Sequence, residues 1–252
     1  MRLIHVYHTA PNPDPETKRR NAIAAMSRRI VEEREEGSFR SDPLPIEHLP
    51  RRFIEDGNRQ MAFVKDVVDV GLTACQPDDL FMLTNEDTGL YPSLCSKVFP
   101  MFTPAGRLNG LSGPRRDFGV IDHPLTSSEE NGAEYIGTDI FIFTPAWWAM
   151  NRDNFPDMVL GGEAWDLILR GMMRMQGMPS VSNLVYHEFH EARWTRADVR
   201  NSSPMQIHNR RLCEQWMARR TPGEREMIYY ADPVLENKHR NFTTDLANRR
   251  AN

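Results

Sequence analysis

Apolar and polar positions along the first ninety residues switch repeatedly between the periods of strand and helix. Leu3-Ile4-His5-Val6-Tyr7-His8 is rich in β-formers and predicts an N-terminal strand, which Ala10-Pro11-Asn12-Pro13-Asp14-Pro15 breaks into a loop. Asp14 or Thr17 starts a helix over Lys18 to Glu36, with Ile23, Met26, Ile30 and Val31 at helical spacing and Gly37 as its stop. Ser41 to Pro50 is a proline-studded connection with an extended piece around Leu44 to Ile46. Phe53 to Cys75 predicts a second helical region, with Phe63, Val67 and Val70 on one face, and Asp79 to Thr84 a buried strand. Patterning is weak from Tyr91 to Ser128. It returns with a strand over Ile136 to Thr144, a short aromatic helix at Trp147-Trp148-Ala149-Met150, a helix over Glu163 to Met175 and a last strand over Val181 to Tyr186. Polar helices are expected from Pro204 to Arg220 and around Pro222 to Tyr230, followed by a loosely held tail. Strands alternating with helices predict an α/β fold with a mostly parallel central sheet, flanked by helices and followed by a helical C-terminal extension.

At 252 residues with 40% apolar positions, the chain can bury a core of ordinary size. No run of eighteen apolar residues and no signal-peptide core is present, so the expectation is a cytoplasmic protein without a membrane span. Cys75, Cys95 and Cys213 lack metal-finger spacing and read as reduced thiols. A net charge of −4 excludes indiscriminate coating of nucleic acid. The charge is uneven, however: seven arginines fall between Arg193 and Arg220, against only Asp198 and Glu214. They form either a solvated helical face or a phosphate-binding surface.

The candidate chemistry sits at element ends. Leu80 to Thr84 runs directly into Asn85-Glu86-Asp87, and a strand that delivers carboxylates at its C-terminal end can present oxygen ligands to a metal and a phosphate. Gly161-Gly162-Glu163-Ala164-Trp165-Asp166 places two acids at a helix start, where the dipole favours them and where one can act as general base. His187-Glu188-Phe189-His190 follows the last strand. Asp87 with His187 or His190 mixes a hard oxygen with an imidazole nitrogen, a set that suits manganese or magnesium. Asp139 lies in an otherwise apolar strand, and a buried carboxylate there needs a partner: a substrate hydroxyl or a structural arginine. No glycine-rich dinucleotide fingerprint and no Gly-Lys-Ser/Thr phosphate loop occurs.

Five segments in order carry a resemblance. Leu83 to Asp87, Arg115-Arg116-Asp117-Phe118, Gly137 to Phe143, Gly161 to Asp166 and His187 to His190 resemble the skeleton of a GT-A fold glycosyltransferase, a nucleotide-diphospho-sugar transferase, over residues 1 to 195. The resemblance implies a catalytic domain over 1–195 and a basic helical extension over 196–252. It also implies a divalent ion, Mn2+ or Mg2+, at Asp87 with His187 or His190 as a further ligand. The donor would be a nucleotide-diphospho-sugar, a UDP-sugar first among them, and the activity that of a hexosyl- or pentosyltransferase. His8, Thr9 and Arg20 would hold the nucleoside, Asn85 and Glu86 would flank the diphosphate, and Arg115, Arg116 and Asp117 would contact the donor sugar or the base; Asp139, from its expected burial, is a further candidate for the donor site. Glu163 or Asp166 would be the base. Two departures from the family pattern stand out: Asn85 replaces the first aspartate of the strand-end motif, and Ala164 interrupts the helix-start acids.

The resemblance implies a hydroxyl acceptor. The arginines after Trp194 allow a hydroxylated base in DNA, in which case Trp147, Trp148 or Trp165 could stack on an extruded base; a small sugar, a glycan or a protein side chain fits the same core, with Trp147-Trp148 stacking on a sugar ring. Two other functions fit the same residues: a metal-dependent nucleotide or phosphodiester hydrolase, and a catalytically inactive nucleic-acid-binding module.

Overall fold

The computed structural model describes residues 1–9, 14–55, 59–103, 108–126, 132–135, 137–190 and 203–229. Eleven strands and seven α-helices occur among them. The strands are β1 (Leu3–Thr9), β2 (Phe39–Pro45), β3 (Arg52–Glu55), β4 (Arg59–Ala62), β5 (Leu80–Thr84), β6 (Gly89–Leu90), β7 (Gly110–Gly113), β8 (Arg115–Phe118), β9 (Ala133–Glu134), β10 (Ile140–Phe143) and β11 (Val185–Glu188). The helices are α1 (Pro15–Arg34), α2 (Val64–Leu72), α3 (Leu94–Val98), α4 (Pro145–Asn151), α5 (Trp165–Met175), α6 (Pro204–Ala218) and α7 (Pro222–Tyr229).

The central sheet has the order β2-β1-β5-β10-β7. β1 is parallel to β2 and β5, whereas β10 is antiparallel to both β5 and β7, so four of the five strands run one way. β5 is buried along its whole length because both its faces are covered. Phe81 and Leu83 join one core with Phe141, Phe143, Val67, Trp147, Trp148 and Ile168. Leu80 and Met82 join the other with Val31, Leu94, Val98 and Ile142. Cys213, Trp216, Met217 and Ile228 belong to the first core, so α6 and α7 pack onto the sheet layer through α5.

A second sheet, β6-β11-β8-β9, begins where strands of the first one end. Between β7 and β8 only Pro114 intervenes, and between β5 and β6 only residues 85–88. Proline cannot donate to a ladder, so the chain leaves the first sheet there and pairs afresh in the second. Both crossings lie at the carboxyl edge of the parallel strands, the edge at which α/β sheets bind ligands.

Several elements differ from their sequence pattern. Residues 53–55 and 59–62, expected to be helical, belong to the antiparallel pair β3-β4, and the helix begins only at Val64. The apolar residues at helical spacing, Phe63, Val67 and Val70, all fall at or within the observed helix, and the segment before them pairs as strands instead. β2 extends through Pro43 and Pro45, which an edge strand tolerates because one row of its backbone groups faces no neighbour. α1 is capped by Asp14, whose carboxylate accepts from the Thr17 N–H. It buries Ala24, Ser27 and Arg28 alongside Ile23 and Val31, while Met26 is exposed. The last strand starts four residues later than Val181, so His187 and Glu188 lie within it. α5 starts at Trp165, preceded by Ala164 at φ 67°, which puts Glu163 outside the helix and Asp166 in its first turn.

Candidate metal centre and the carboxylates beside it

The loop after β5 is fixed before any ligand is considered. The Thr88 N–H donates to the Asn85 carbonyl at 3.2 Å, closing a turn. Arg28 on α1 donates to the carbonyls of Glu86 and Thr88 at 3.0 and 3.3 Å, and its guanidinium lies 3.9 Å from the centre of the Tyr7 ring. Ser27 accepts from the Leu90 N–H. Helix α1 therefore grips both sides of the turn that presents Asp87.

Opposite that turn stands β11. Its alternation sends His187 to the same side as Val185, and its parallel register places His187 directly across from Asp117 on β8. His187 Nδ1 lies 3.2 Å from Asp117 Oδ1, and His187 Nε2 lies 3.1 Å from Asp87 Oδ2. His190, just past the strand, brings its Nε2 to 3.1 Å from the same Asp87 oxygen. One ligand atom each from Asp87, His187 and His190 thus lie within 4.8 Å of one another. Two imidazoles and a carboxylate, with a second carboxylate behind one imidazole, form a donor set that fits a divalent transition ion.

Charge couples the three groups. Burial alone would raise the Asp87 carboxyl, but His187 and His190 hold it well below the usual carboxylate range. Burial and Arg115 oppose charging of His187, yet Asp87 and Asp117 outweigh them and hold it above the usual imidazole value. The fully buried Asp117 needs its own partners. Arg115 Nε donates to Asp117 Oδ1 at 2.7 Å, and Arg115 Nη1 donates to Asp139 Oδ1 at 2.9 Å. Asn85 Nδ2 donates to the same Asp139 oxygen at 3.0 Å. The Arg115 guanidinium lies over the Tyr135 ring, 4.2 Å from its centre. Asp139 in turn influences Asp166. Burial first, and the Asp139 charge second, push the Asp166 carboxyl up to about 6, against the opposing effect of Arg170.

The residues nominated from sequence therefore divide. Asp87, His187 and His190 converge, and Asn85, Arg115, Asp139 and Asp166 adjoin them through hydrogen bonds and charge. Glu86 contributes its carbonyl to Arg28. Arg20 lines a small cavity beside Asp87, Gly89, Tyr186 and Glu188, and donates through Nη2 to Thr17. His8, at the end of β1, is bonded to the Leu44 carbonyl, and burial lowers its imidazole from the usual value; Thr9 is half-buried beside it.

Arg116 points away from this cluster. It alternates with Arg115 along β8 and bonds Asn183 and the Gly132 carbonyl instead. Glu163 is used by the C-terminal helix: its carboxylate accepts from Arg210 Nη2 at 3.1 Å and its N–H donates to Gln206. The preceding Gly161 takes φ 79°, and a side chain at Gly162 would meet the Asn209 amide 2.3 Å away, so the glycine pair admits α6 rather than a ligand. Trp147 and Trp148 are 1% and 2% exposed and form core rather than a stacking platform. Arg220 covers the Trp216 ring, while Arg193, Arg196 and Arg200 lie outside the described residues.

The resemblance sets Asp117 beside Arg115 and Arg116 as a donor contact, whereas its carboxylate meets His187 and Arg115; Tyr135, whose ring lies under the Arg115 guanidinium, carries no such signal in the sequence. The signal for Asp117 was the alternation Arg115-Arg116-Asp117, legible only once that segment is known to be a strand.

No protein-family model matches the chain, and no curated protein matches it in sequence. Among solved structures the fold is similar to the crystal structure of S. aureus TarS 1–349, with a TM-score of 0.46 and 10% sequence identity over 75% of this chain. The chain spans 60% of the length of that one.

Proposed function

We propose that the chain is a GT-A-like glycosyltransferase that moves a sugar from a nucleotide-diphospho-sugar to a hydroxyl acceptor. The observation that carries this reading is the Asp-His-His cluster at the carboxyl edge of a mostly parallel sheet, with a separate carboxyl, Asp166, that burial and the Asp139 charge push up to about 6. Asp87, His187 and His190 would hold a divalent ion, and the two imidazoles favour Mn2+ over Mg2+. Such an ion supplies charge neutralisation to the leaving diphosphate.

The remaining work falls to the chain's own groups. Asp166 takes the proton of the acceptor hydroxyl; the freed oxygen attacks the anomeric carbon, and the bond from that carbon to the diphosphate oxygen breaks, releasing the nucleoside diphosphate. Its carboxyl near 6 suits a general base at neutral pH. Glu163 is the weaker candidate because Arg210 already occupies its carboxylate. His8, Thr9 and Arg20 remain the candidates for holding the nucleoside. Among the described residues support for a DNA acceptor is thin: Arg210 and Arg220 are engaged within the protein and the paired tryptophans are core, which leaves Arg211 and Arg219 exposed.

A thermal-shift screen of UDP-, GDP-, ADP- and CMP-sugars, with and without MnCl2, tests the proposal. The expected result is a metal-dependent rise with one nucleotide class that Asp87→Ala abolishes. No rise with any of them, or a rise that is indifferent to both metal and Asp87→Ala, overturns it.

A further inference from the structure

Asp139 is the one carboxylate of the cluster with a buried oxygen that has no hydrogen-bond partner among the described residues. It immediately precedes β10 at the carboxyl edge of the sheet, where its N–H donates to the Gly113 carbonyl at 3.1 Å and fixes its backbone. Its side chain is 5% exposed. Oδ1 accepts from both Arg115 Nη1 and Asn85 Nδ2, while Oδ2 is buried and has no hydrogen-bond partner among the described residues. A buried carboxylate oxygen left without a donor is costly, and native structures rarely retain one without a reason.

The surroundings narrow the missing donor. Hydrogen bonds connect Asp139 through Arg115, Asp117 and His187 to Asp87, so the vacant acceptor stands beside the cluster proposed to hold the diphosphate. The sugar of a bound donor is attached directly to that diphosphate, and its ring hydroxyls are O–H donors. Asn85 takes on meaning here as well. With an aspartate at 85, two carboxylates would face each other across 3.0 Å; the amide instead donates to Oδ1 and leaves Oδ2 for a ligand.

We propose that Asp139 Oδ2 accepts a hydrogen bond from a ring hydroxyl of the donor sugar, and that this contact selects which sugar is transferred. The proposal rests on the transferase reading. It assigns Asp139 to sugar recognition and leaves nucleotide and metal binding to other residues.

Asp139→Asn provides a sharp test because the two donors on Oδ1 dictate how the amide must sit. Its oxygen stays with Arg115 and Asn85, which places the NH2 where Oδ2 was and replaces an acceptor with a donor. Calorimetry in MnCl2 would measure UDP, UDP-glucose and UDP-galactose against both proteins. The expected result is unchanged UDP affinity, with the preferred UDP-hexose weakened about ten- to a hundredfold relative to UDP. A folded variant in which the UDP-hexose to UDP ratio is unchanged overturns the inference while leaving the transferase reading intact. Should the wild-type protein bind another nucleotide class in place of UDP, the same comparison is made with that nucleotide and its sugars; failure to bind any of them with Mn2+ removes the reading, and the inference falls with it. A second measurement does not depend on the variant folding. Across UDP-hexoses lacking one ring hydroxyl each, one position must weaken wild-type binding about tenfold or more; a flat series overturns the assignment.

Discussion

The cluster around Asp87 and the junction around Glu163 both begin with a carboxylate at the end of an element. In the first, Asp87 meets two imidazoles, a second carboxylate stands behind one of them, and Arg115 links that carboxylate to a third. Positive and negative groups alternate there, yet Asp139 Oδ2 still lacks a partner among the described residues and Asp166 is hard to ionise. In the second, Glu163 is answered by Arg210 and Gln206, and Asn209 both donates to and accepts from the Val159 backbone. A satisfied carboxylate fastens one element to another; a carboxylate kept short of partners retains affinity for a ligand. Glu163 and Asp166 are only three positions apart, and their environments set them apart.

The strongest test of this contrast is Asp166→Asn. As the proposed base, Asp166 should cost about 10²- to 10⁴-fold in kcat when replaced, with KM for the donor little changed. Wild-type turnover should fall as pH drops below about 6, because the base must be deprotonated. The groups that set this value are Asp139, which raises it, and Arg170, which lowers it; Tyr135 and Cys213 also feel the Asp166 charge. Asp139→Asn should therefore move the acid limb of kcat to lower pH. A kcat for Asp166→Asn within tenfold of wild type would place the base elsewhere.

The same substitution should affect stability in the opposite sense. A carboxyl raised to about 6 in the folded chain has a higher value folded than unfolded, so folding binds its proton more tightly. The cost is absent below the unfolded value, grows as pH rises toward 6, and reaches about 3 kcal/mol above it. Asp166→Asn should then melt higher than wild type at pH 8, with the difference shrinking toward pH 4. Equal melting temperatures across that range would show that the carboxylate is better solvated than its burial implies.

Much of this contrast lies beyond what local sequence pattern can express. β5 and its acidic end are legible because an unbroken apolar run needs no distant information. Asp87, His187 and His190 were nominated from element ends, but their meeting depends on a loop gripped by α1 and on a second sheet whose strands come from three separate regions. β8 and β11 are four residues each, too short to show a period, so neither the Asp117–His187 register nor the turning away of Arg116 could be anticipated. The helical spacing of Phe63, Val67 and Val70 reads back into residues 53–55 and 59–62, which pair as strands because the partner strand decides. Glu163 looked like a helix-start acid because Ala164, in a left-handed conformation, delays the helix by two residues.

Asp117→Asn gives a smaller effect. The carboxylate opposite His187 Nδ1 fixes the ring and raises its basicity as a ligand, and partners of this kind are worth about 10- to 100-fold in metal affinity. An amide keeps the shape and one acceptor but loses the charge that Arg115 balances. Titration with Mn2+ should show the weakening in the absence of any nucleotide. Unchanged Mn2+ affinity would mean that Asp117 serves only Arg115.

The smallest effect is expected at the junction itself. Glu163 and Arg210 are 16% and 32% exposed, so their attraction is partly screened, and Glu163→Gln retains an acceptor for the guanidinium. Loss of the charge should destabilise by less than about 1 kcal/mol, a drop in Tm of about 2–4 °C or less for a chain of this size. The Glu163 backbone N–H continues to hold Gln206, and Trp216, Met217 and Ile228 still bury α6 and α7 in the core, so helix docking survives. Turnover should stay within about threefold of wild type, since on this reading the carboxylate does no more than hold a helix. A loss in kcat matching that of Asp166→Asn, without a larger drop in Tm, would make Glu163 the base and show that its ion pair with Arg210 opens when the acceptor binds.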